Sequence, residues 1–224
     1  MIRSDSNDRF VQALSADLTP VRRLAPPAQR LLIWLAIVGL AALALAMVSD
    51  VRSMIHRLMA APDLWLAAAG SLLTAVSAAA AAFQLSLPDR KAVWALLPIP
   101  PALLWIGASG IGCLRPWFVA GTSPMSIGDS DSCLVFILGF SLPLSLLLIV
   151  MLRRGFSLRP NLTAVVGGLA CASAAATLLN FVHPYDATAS DLAVHAVAVG
   201  IVMLANTLFG GRILMSKISL TATK

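Results

Sequence analysis

The chain has 224 residues, of which 59% are hydrophobic and only 12% are charged, and its mean hydropathy is +0.88. Soluble domains are about 45–50% apolar and about 25% charged, so this composition excludes a soluble globular protein and indicates a membrane protein. The formal net charge of +6 is better explained by basic residues flanking membrane spans than by nucleic-acid binding, so we expect no direct nucleic-acid partner.

Residues 1–30 are predicted to form a cytoplasmic arm. Apolar side chains recur in it at the spacing of one helix face: Phe10, Val11, Leu14, Leu18 and Val21. They predict a short amphipathic helix, which Asp8 is expected to cap at its start. Pro20, Pro26 and Pro27 then favour an extended linker. Such a helix needs a surface, which is either the groove of a partner protein or the inner leaflet of the membrane.

Six long stretches contain no Asp, Glu, Lys or Arg: residues 31–49, 64–87, 92–114, 132–152, 161–183 and 192–211. Each is close to the ~20 residues that a helix needs to cross the hydrocarbon core. Because lipid cannot satisfy free backbone groups, and because these runs are continuous, helices are predicted rather than a β-barrel. The predicted fold is an all-α bundle of six transmembrane helices over residues 31–214, followed by a cytoplasmic tail at 215–224.

The distribution of basic residues predicts the orientation. If the N-terminus is cytoplasmic, thirteen of the sixteen Lys and Arg residues lie in cytoplasmic segments, and only Arg52, Arg57 and Arg115 lie outside. This positive-inside bias predicts a multi-pass membrane protein with both termini in the cytoplasm. The first apolar run begins only at residue 31 and is long enough to span, so we expect no cleavable signal peptide.

Two further patterns concern helix shape and packing. Pro98, Pro100 and Pro101 fall within the third stretch and Pro143 within the fourth, where each is expected to kink its helix. Small residues recur at every fourth position of the second and fifth stretches: Ser71, Ala75 and Ala79; Gly167, Cys171 and Ala175; Gly168, Ala172 and Ala176. These faces predict close helix packing inside the bundle, with a homodimer as the alternative.

Chemistry-bearing motifs are few. The stretches lack the charged residues that ion or proton transport usually needs, and Asn206 is expected to form a hydrogen bond between helices. No metal-binding motif with HExxH or CxxC spacing occurs, and the outer Asp residues are expected in exposed polar loops. We therefore expect no enzyme activity and no resident cofactor. The alternative class of function is a small transporter or channel for a neutral solute.

Cys113 and Cys133 flank the outer loop between the third and fourth stretches. In the oxidising periplasm they could form a disulfide, and as thiols they could capture a soft metal ion or an oxidant. The residues alone leave both alternatives open. His183 would complete a metal site with the two cysteines if the outer loops meet. Cys171 is expected to be inert packing.

A series of motifs resembles the NrsF family, six-span bacterial inner-membrane proteins that are negative regulators of extracytoplasmic-function (ECF) sigma factors. The motifs are ALSADLTPVRRLAPP at 13–27, LSLPDRKAVWALLP at 85–98, IGCLRPW at 111–117, the run from DSCLVF at 131 to RPNLT at 163, and HPYD at 183–186.

The resemblance implies a membrane-bound anti-sigma factor. The arm would hold a cognate ECF sigma factor, with Leu14, Leu18 and Val21 as anchors and with Arg22 and Arg23 meeting acidic groups. Cys113 and Cys133 match the family's loop cysteines, which would report heavy metal or oxidative stress. The family usually has a cysteine before the proline of the last outer loop, where this chain has His183. A disulfide between the two outer loops is thereby excluded, so either His183 is a metal ligand or sensing in this chain differs.

Overall fold

The computed structural model describes the backbone of residues 2–16, 24–60, 62–118, 127–182 and 189–215. Side chains are described for 7–16, 24–60, 62–111, 133–182 and 193–215. All regular structure in these segments is helical. The α-helices are α1 (Ile2–Ala16), α2 (Pro27–Val48), α3 (Val51–Ala60), α4 (Pro62–Leu85), α5 (Ile99–Phe118), α6 (Ile127–Leu152), α7 (Pro160–Leu179) and α8 (Ala189–Ala205). A 3₁₀-helix covers Ala92–Leu96, and a π-helix covers Asn206–Gly210.

The six predicted spans are confirmed as helical segments of the required length and apolarity. Within the described residues, six segments qualify: Pro27–Val48, Pro62–Leu85, Ala92–Ile111, Cys133–Leu152, Pro160–Leu179 and Ala193–Met215. Each is 20 to 24 residues long, which at ~1.5 Å per residue is enough to cross the ~30 Å core of a bilayer.

Helix α7 lies at the centre of the bundle, and 78% of the residues in its 18-residue apolar stretch are buried. It packs against α4, α6 and α8, while α5 packs against α4 and also contacts α8. Helix α2 lies at the periphery, mainly against α4, and only 6% of the residues in its 18-residue apolar stretch are buried. The first span is therefore held to the bundle by very few of its side chains.

The predicted small-residue faces pack inside the bundle. Ala75 and Ala79 of α4 are at most 2% exposed and lie in the same core as Cys171 of α7. The hydroxyls of Ser71 and Thr177 are 3.0 Å apart and hydrogen-bond these two helices. The faces are thus occupied by packing within one chain, and a homodimer stays a prediction.

The third span differs from the continuous kinked helix that was predicted. It consists of the 3₁₀-helix Ala92–Leu96 followed by α5, so that Pro98, Pro100 and Pro101 lie at the start of α5 and not at its middle. Proline is tolerated there, because the first helical N–H groups have no intrahelical partner. Pro143 does lie inside α6, where it deprives the carbonyl of Gly139 of its usual donor.

The loop between the first two spans contains a helix that was not predicted. Asp50 precedes α3 and caps it, since its carboxylate accepts hydrogen bonds from the backbone N–H (3.1 Å) and the hydroxyl (2.6 Å) of Ser53. These bonds lower the pKa of Asp50.

The expectation that the outer Asp residues lie exposed in polar loops is wrong for Asp63, which is 6% exposed in the first turn of α4. An acidic residue there is favoured by the positive end of the helix dipole.

In the arm, helix α1 begins six residues before Asp8, so the predicted cap at Asp8 is wrong. The extended linker is confirmed at Pro26, whose φ of −53° and ψ of 146° are those of an extended chain. Pro27 is the first residue of α2, where its missing N–H costs no hydrogen bond. The first span thus begins at Pro27, four residues before the charge-free stretch.

Gly70 is expected to be essential for packing α4 against α5. A Cβ atom at this position would lie 2.7 Å from the backbone nitrogen of Trp105, a contact that only a helix shift can relieve. We expect Gly70→Ala to destabilise the protein by about 1–3 kcal/mol, measured by thermal unfolding in detergent with circular dichroism.

Gly107→Ala is the matched control on α5, because a Cβ atom there meets nothing within 4 Å. It should leave the stability unchanged or raise it by up to about 1 kcal/mol, since alanine favours the helix. Equal unfolding temperatures for the two variants would contradict the close α4–α5 contact.

Candidate functional site

The arm joins the bundle at the first turn of α2. Arg30 and Trp34 are the only buried side chains in this helix, at 4% and 0% exposed. They are four residues apart and therefore lie on the same face. The remainder of α2 is exposed or half-buried. Arg30 and Trp34 are therefore the most deeply buried contacts of α2, and Leu31, Leu35 and Val38 pack against the same core while remaining partly exposed.

Arg30 binds two other helices at the same time. Its guanidinium donates hydrogen bonds to the hydroxyl of Ser86 (3.1 Å), directly after α4, and to the carbonyl of Met151 near the end of α6. It also stacks over the ring of Phe83, at 4.9 Å from the ring centroid. We call Arg30, Phe83, Ser86 and Met151 the arm anchor.

Helix dipoles explain how the arm anchor accommodates a charge. The contacts of Arg30 in the described part of the chain are a hydroxyl, a carbonyl and an aromatic ring, with no carboxylate among them. However, α4 and α6 both end at this point, and the carboxyl end of a helix carries partial negative charge and unpaired carbonyls. The Met151 carbonyl is one of these orphan groups, so Arg30 caps α6. A cation–π contact with the ring of Phe83 further stabilises the Arg30 guanidinium.

The same end of the bundle is held together by a second set of hydrogen bonds. The hydroxyl of Ser157 donates to the carbonyl of Leu85 (3.0 Å) and lies 2.8 Å from the hydroxyl of Thr163 in α7. Gly155 passes so close to Ser86 that a Cβ atom would be 2.5 Å from the Ser86 carbonyl oxygen. The loop between α6 and α7 is therefore docked on the end of α4, beside the arm anchor.

A polar contact in the middle of the bundle confirms the expectation for Asn206. Its side-chain amide donates to the hydroxyl of Ser145 in α6 (2.9 Å) and to the carbonyl of Val202 (2.9 Å). The Ser145 hydroxyl also hydrogen-bonds the thiol of Cys171. These side chains link α6, α7 and the last span. Cys171 is fully buried in packing, as predicted.

At the opposite end of α6, Cys133 is 2% exposed. It packs in a small core with Ile137 of its own helix, Ala175 and Leu179 of α7, and Ala198 of α8. The side chain of Cys113 and the whole of His183 lie outside the described residues. No metal-binding cluster is found among the side chains that are described, so the disulfide, the thiol pair and the soft-metal site all stay predictions.

The predicted partner-binding residues fall into two groups. Phe10, Val11 and Leu14 lie on α1 and are 58–65% exposed, so their apolar surface is open to a partner. The others lie outside the described residues: Leu18, Val21, Arg22 and Arg23.

Sequence reasoning missed the arm anchor, because Arg30 was counted as one of the basic residues of the arm. An arginine at the end of a span is common, and it usually reaches into the headgroups. The signal that could have identified it is its place one turn before Trp34, on the same face of a helix that Pro27 begins.

Arg30→Ala is expected to destabilise the protein by about 2–3 kcal/mol, because two charge-assisted hydrogen bonds between helices are lost. Arg30→Lys should recover part of this, since an ammonium lacks the planar fork that reaches two acceptors. Thermal unfolding of the purified protein in detergent measures both.

Arg154→Ala is the control, because Arg154 is exposed and close enough to repel the Arg30 guanidinium. Its removal should leave the stability unchanged or slightly increased. If Arg154→Ala destabilised as much as Arg30→Ala, general loss of positive charge and not the arm anchor would be the cause.

Comparison with known proteins identifies the family. A family model described as NrsF, negative regulator of sigma F, matches residues 14–215. This match covers most of the chain, from the middle of the arm to the end of the last described helix. A search of curated proteins and a search of solved structures find no significant match. The resemblance seen in the sequence motifs is thereby confirmed, and the chain belongs to the NrsF family of negative regulators of a sigma factor.

Proposed function

We propose that this protein is a membrane-bound anti-sigma factor that holds an ECF sigma factor through its arm and releases it in response to a periplasmic stress signal. The observation that carries the proposal is the family match over residues 14–215. A regulator of this kind needs a partner-binding segment, a membrane anchor and a link between them, and it needs no catalytic site.

The exposed apolar face of α1 supports the arm as the binding segment. Every described side chain of α1 is exposed. Phe10, Val11 and Leu14 form an apolar patch on one side of the helix, which suits an amphipathic helix that docks in a hydrophobic groove. A helix of this length is marginal alone in water, so binding would order it.

The contacts of α6 support a route for the signal. Cys133 lies near the outer end of this helix and the Met151 carbonyl near its other end, about 27 Å away at ~1.5 Å per residue. The Met151 carbonyl accepts the hydrogen bond from Arg30. We propose that a reaction at Cys133 shifts α6 against α7 and α8, and that the shift reaches the arm through Arg30.

The membrane orientation is part of the proposal. Arg30, Ser86, Met151 and Ser157 meet at one end of the bundle, and the loops at this end carry most of the basic residues. The positive-inside rule then favours a cytoplasmic location for this end and for the arm, in the inner membrane of a bacterium.

Leu14→Asp is expected to weaken capture of the sigma factor by at least about 30-fold, because a charge would be buried in the docking groove. The measurement is the affinity of the purified full chain in nanodiscs for the ECF sigma factor encoded beside it.

Gln12→Asp places the same charge on the opposite side of α1 and is the matched control. It should change the affinity by less than about threefold, as rim charges contribute little. Equal losses for the two variants, or no loss for either, would reject the apolar face of α1 as the binding element.

The cysteines are tested by the release of the bound sigma factor after treatment with an oxidant or a soft metal ion. If Cys113 and Cys133 act as a pair, Cys113→Ser and Cys133→Ser should each abolish release, because one thiol can neither close a disulfide nor complete a dithiolate site.

Cys171→Ser is the control, since Cys171 is buried in mid-bundle and a serine retains a hydrogen-bonding group beside Ser145. The Cys171→Ser variant should release the sigma factor normally.

His183→Ala distinguishes metal sensing from oxidant sensing. If His183 is a metal ligand, this variant should impair release by metal and leave release by oxidant intact. Normal release by both cysteine variants would contradict cysteine sensing.

A further inference from the structure

A cavity of about 270 Å³ opens at the end of the bundle that contains the arm anchor. It is lined by Leu85, Leu87, Pro88, Arg90, Leu158 and Arg159. It lies between the loop after α4 and the loop before α7. Neither the family match nor the proposed sensing route assigns it a role.

The walls of this cavity are fixed by hydrogen bonds. The Ser157 hydroxyl ties its own loop to the Leu85 carbonyl at 3.0 Å and accepts a hydrogen bond from the backbone N–H of Arg159 at 3.3 Å. Ser157 is 7% exposed and Thr163, its other partner, is fully buried. The backbone of Arg159 is therefore held in place by a buried hydrogen-bond network, and its exposed side chain lines the cavity.

The depth of the cavity in the membrane follows from the helix ends. Leu85 is the last residue of α4, and Arg159 directly precedes α7. Both helices are candidate spans, so the cavity lies where hydrocarbon gives way to headgroups. Leu158 is 64% exposed beside it, which places an apolar side chain next to the two arginines.

The charge at this end is strongly positive. Arg90 lies 3.7 Å from Asp89, and that acid is 71% exposed, so its field is screened by water. Arg154 and Arg212 are exposed nearby and add positive charge. Two guanidinium groups beside the leucine side chains that line the cavity match a phosphate headgroup with attached acyl chains, because arginine binds phosphate oxygens in pairs.

We propose that this cavity binds the phosphate headgroup of an anionic phospholipid such as phosphatidylglycerol. Arg90 and Arg159 contact the phosphate, and the leucines contact the first part of an acyl chain. The bound lipid would lie against the loop that docks on the end of α4. This site is independent of the proposed partner and of the cysteines.

The test is native mass spectrometry of the detergent-solubilised full chain, titrated separately with phosphatidylglycerol, phosphatidylcholine and inorganic phosphate. We expect retention of phosphatidylglycerol only. The double variant Arg90→Gln/Arg159→Gln should bind it about 25-fold more weakly, at about fivefold for each arginine. Arg90→Lys/Arg159→Lys keeps both charges and should retain most of the binding, which guards against misfolding as the cause.

Arg154→Gln/Arg212→Gln is the matched control, because these arginines are exposed at the same end and do not line the cavity. It should change lipid binding by less than about twofold. Four results would overturn the proposal: an equal loss in the control, equal retention of phosphatidylcholine, equally tight binding of free phosphate, or unchanged lipid binding by Arg90→Gln/Arg159→Gln.

Discussion

The contact of Arg30 with the carboxyl ends of two helices is the interaction on which this account depends. A buried guanidinium needs compensating negative charge, and here unpaired carbonyls and helix dipoles supply it. Together with the buried Trp34, the same contact attaches an otherwise peripheral first span. It therefore joins the proposed partner-binding segment to the helices that form the centre of the bundle.

The other parts of the bundle are arranged around this attachment in a consistent way. Small residues let α4 and α7 approach closely, and this fixes the position of Ser86 and the loop that docks on it. Helix α6 extends from the packed environment of Cys133 to the carbonyl that Arg30 binds. A helix packed at both ends is a simple physical means of carrying a displacement across a membrane.

The sequence predicted the number and kind of spans well, because twenty apolar residues leave the backbone no alternative to a helix. The sequence did not predict the features that depend on contacts between distant parts of the chain. Arg30 pairs with residues 56 and 121 positions away, and no local pattern encodes such a contact. Helix α3 was missed because its polar residues suggested a loop, although Val51, Met54 and Leu58 are half-buried at helical spacing. The sensing site remains a prediction, since the side chain of Cys113 and the whole of His183 lie outside the described residues.

The most direct test of the central claim is the side of the membrane on which the arm lies. In a chain whose three cysteines are replaced by serine, single cysteines can be placed at Ser15 on α1 and at His56 on α3, both exposed. A membrane-impermeant maleimide applied to intact spheroplasts should label His56→Cys at once and Ser15→Cys only after the membrane is permeabilised. Labelling of Ser15→Cys in intact spheroplasts would contradict a cytoplasmic arm and with it the regulation of a sigma factor by this segment.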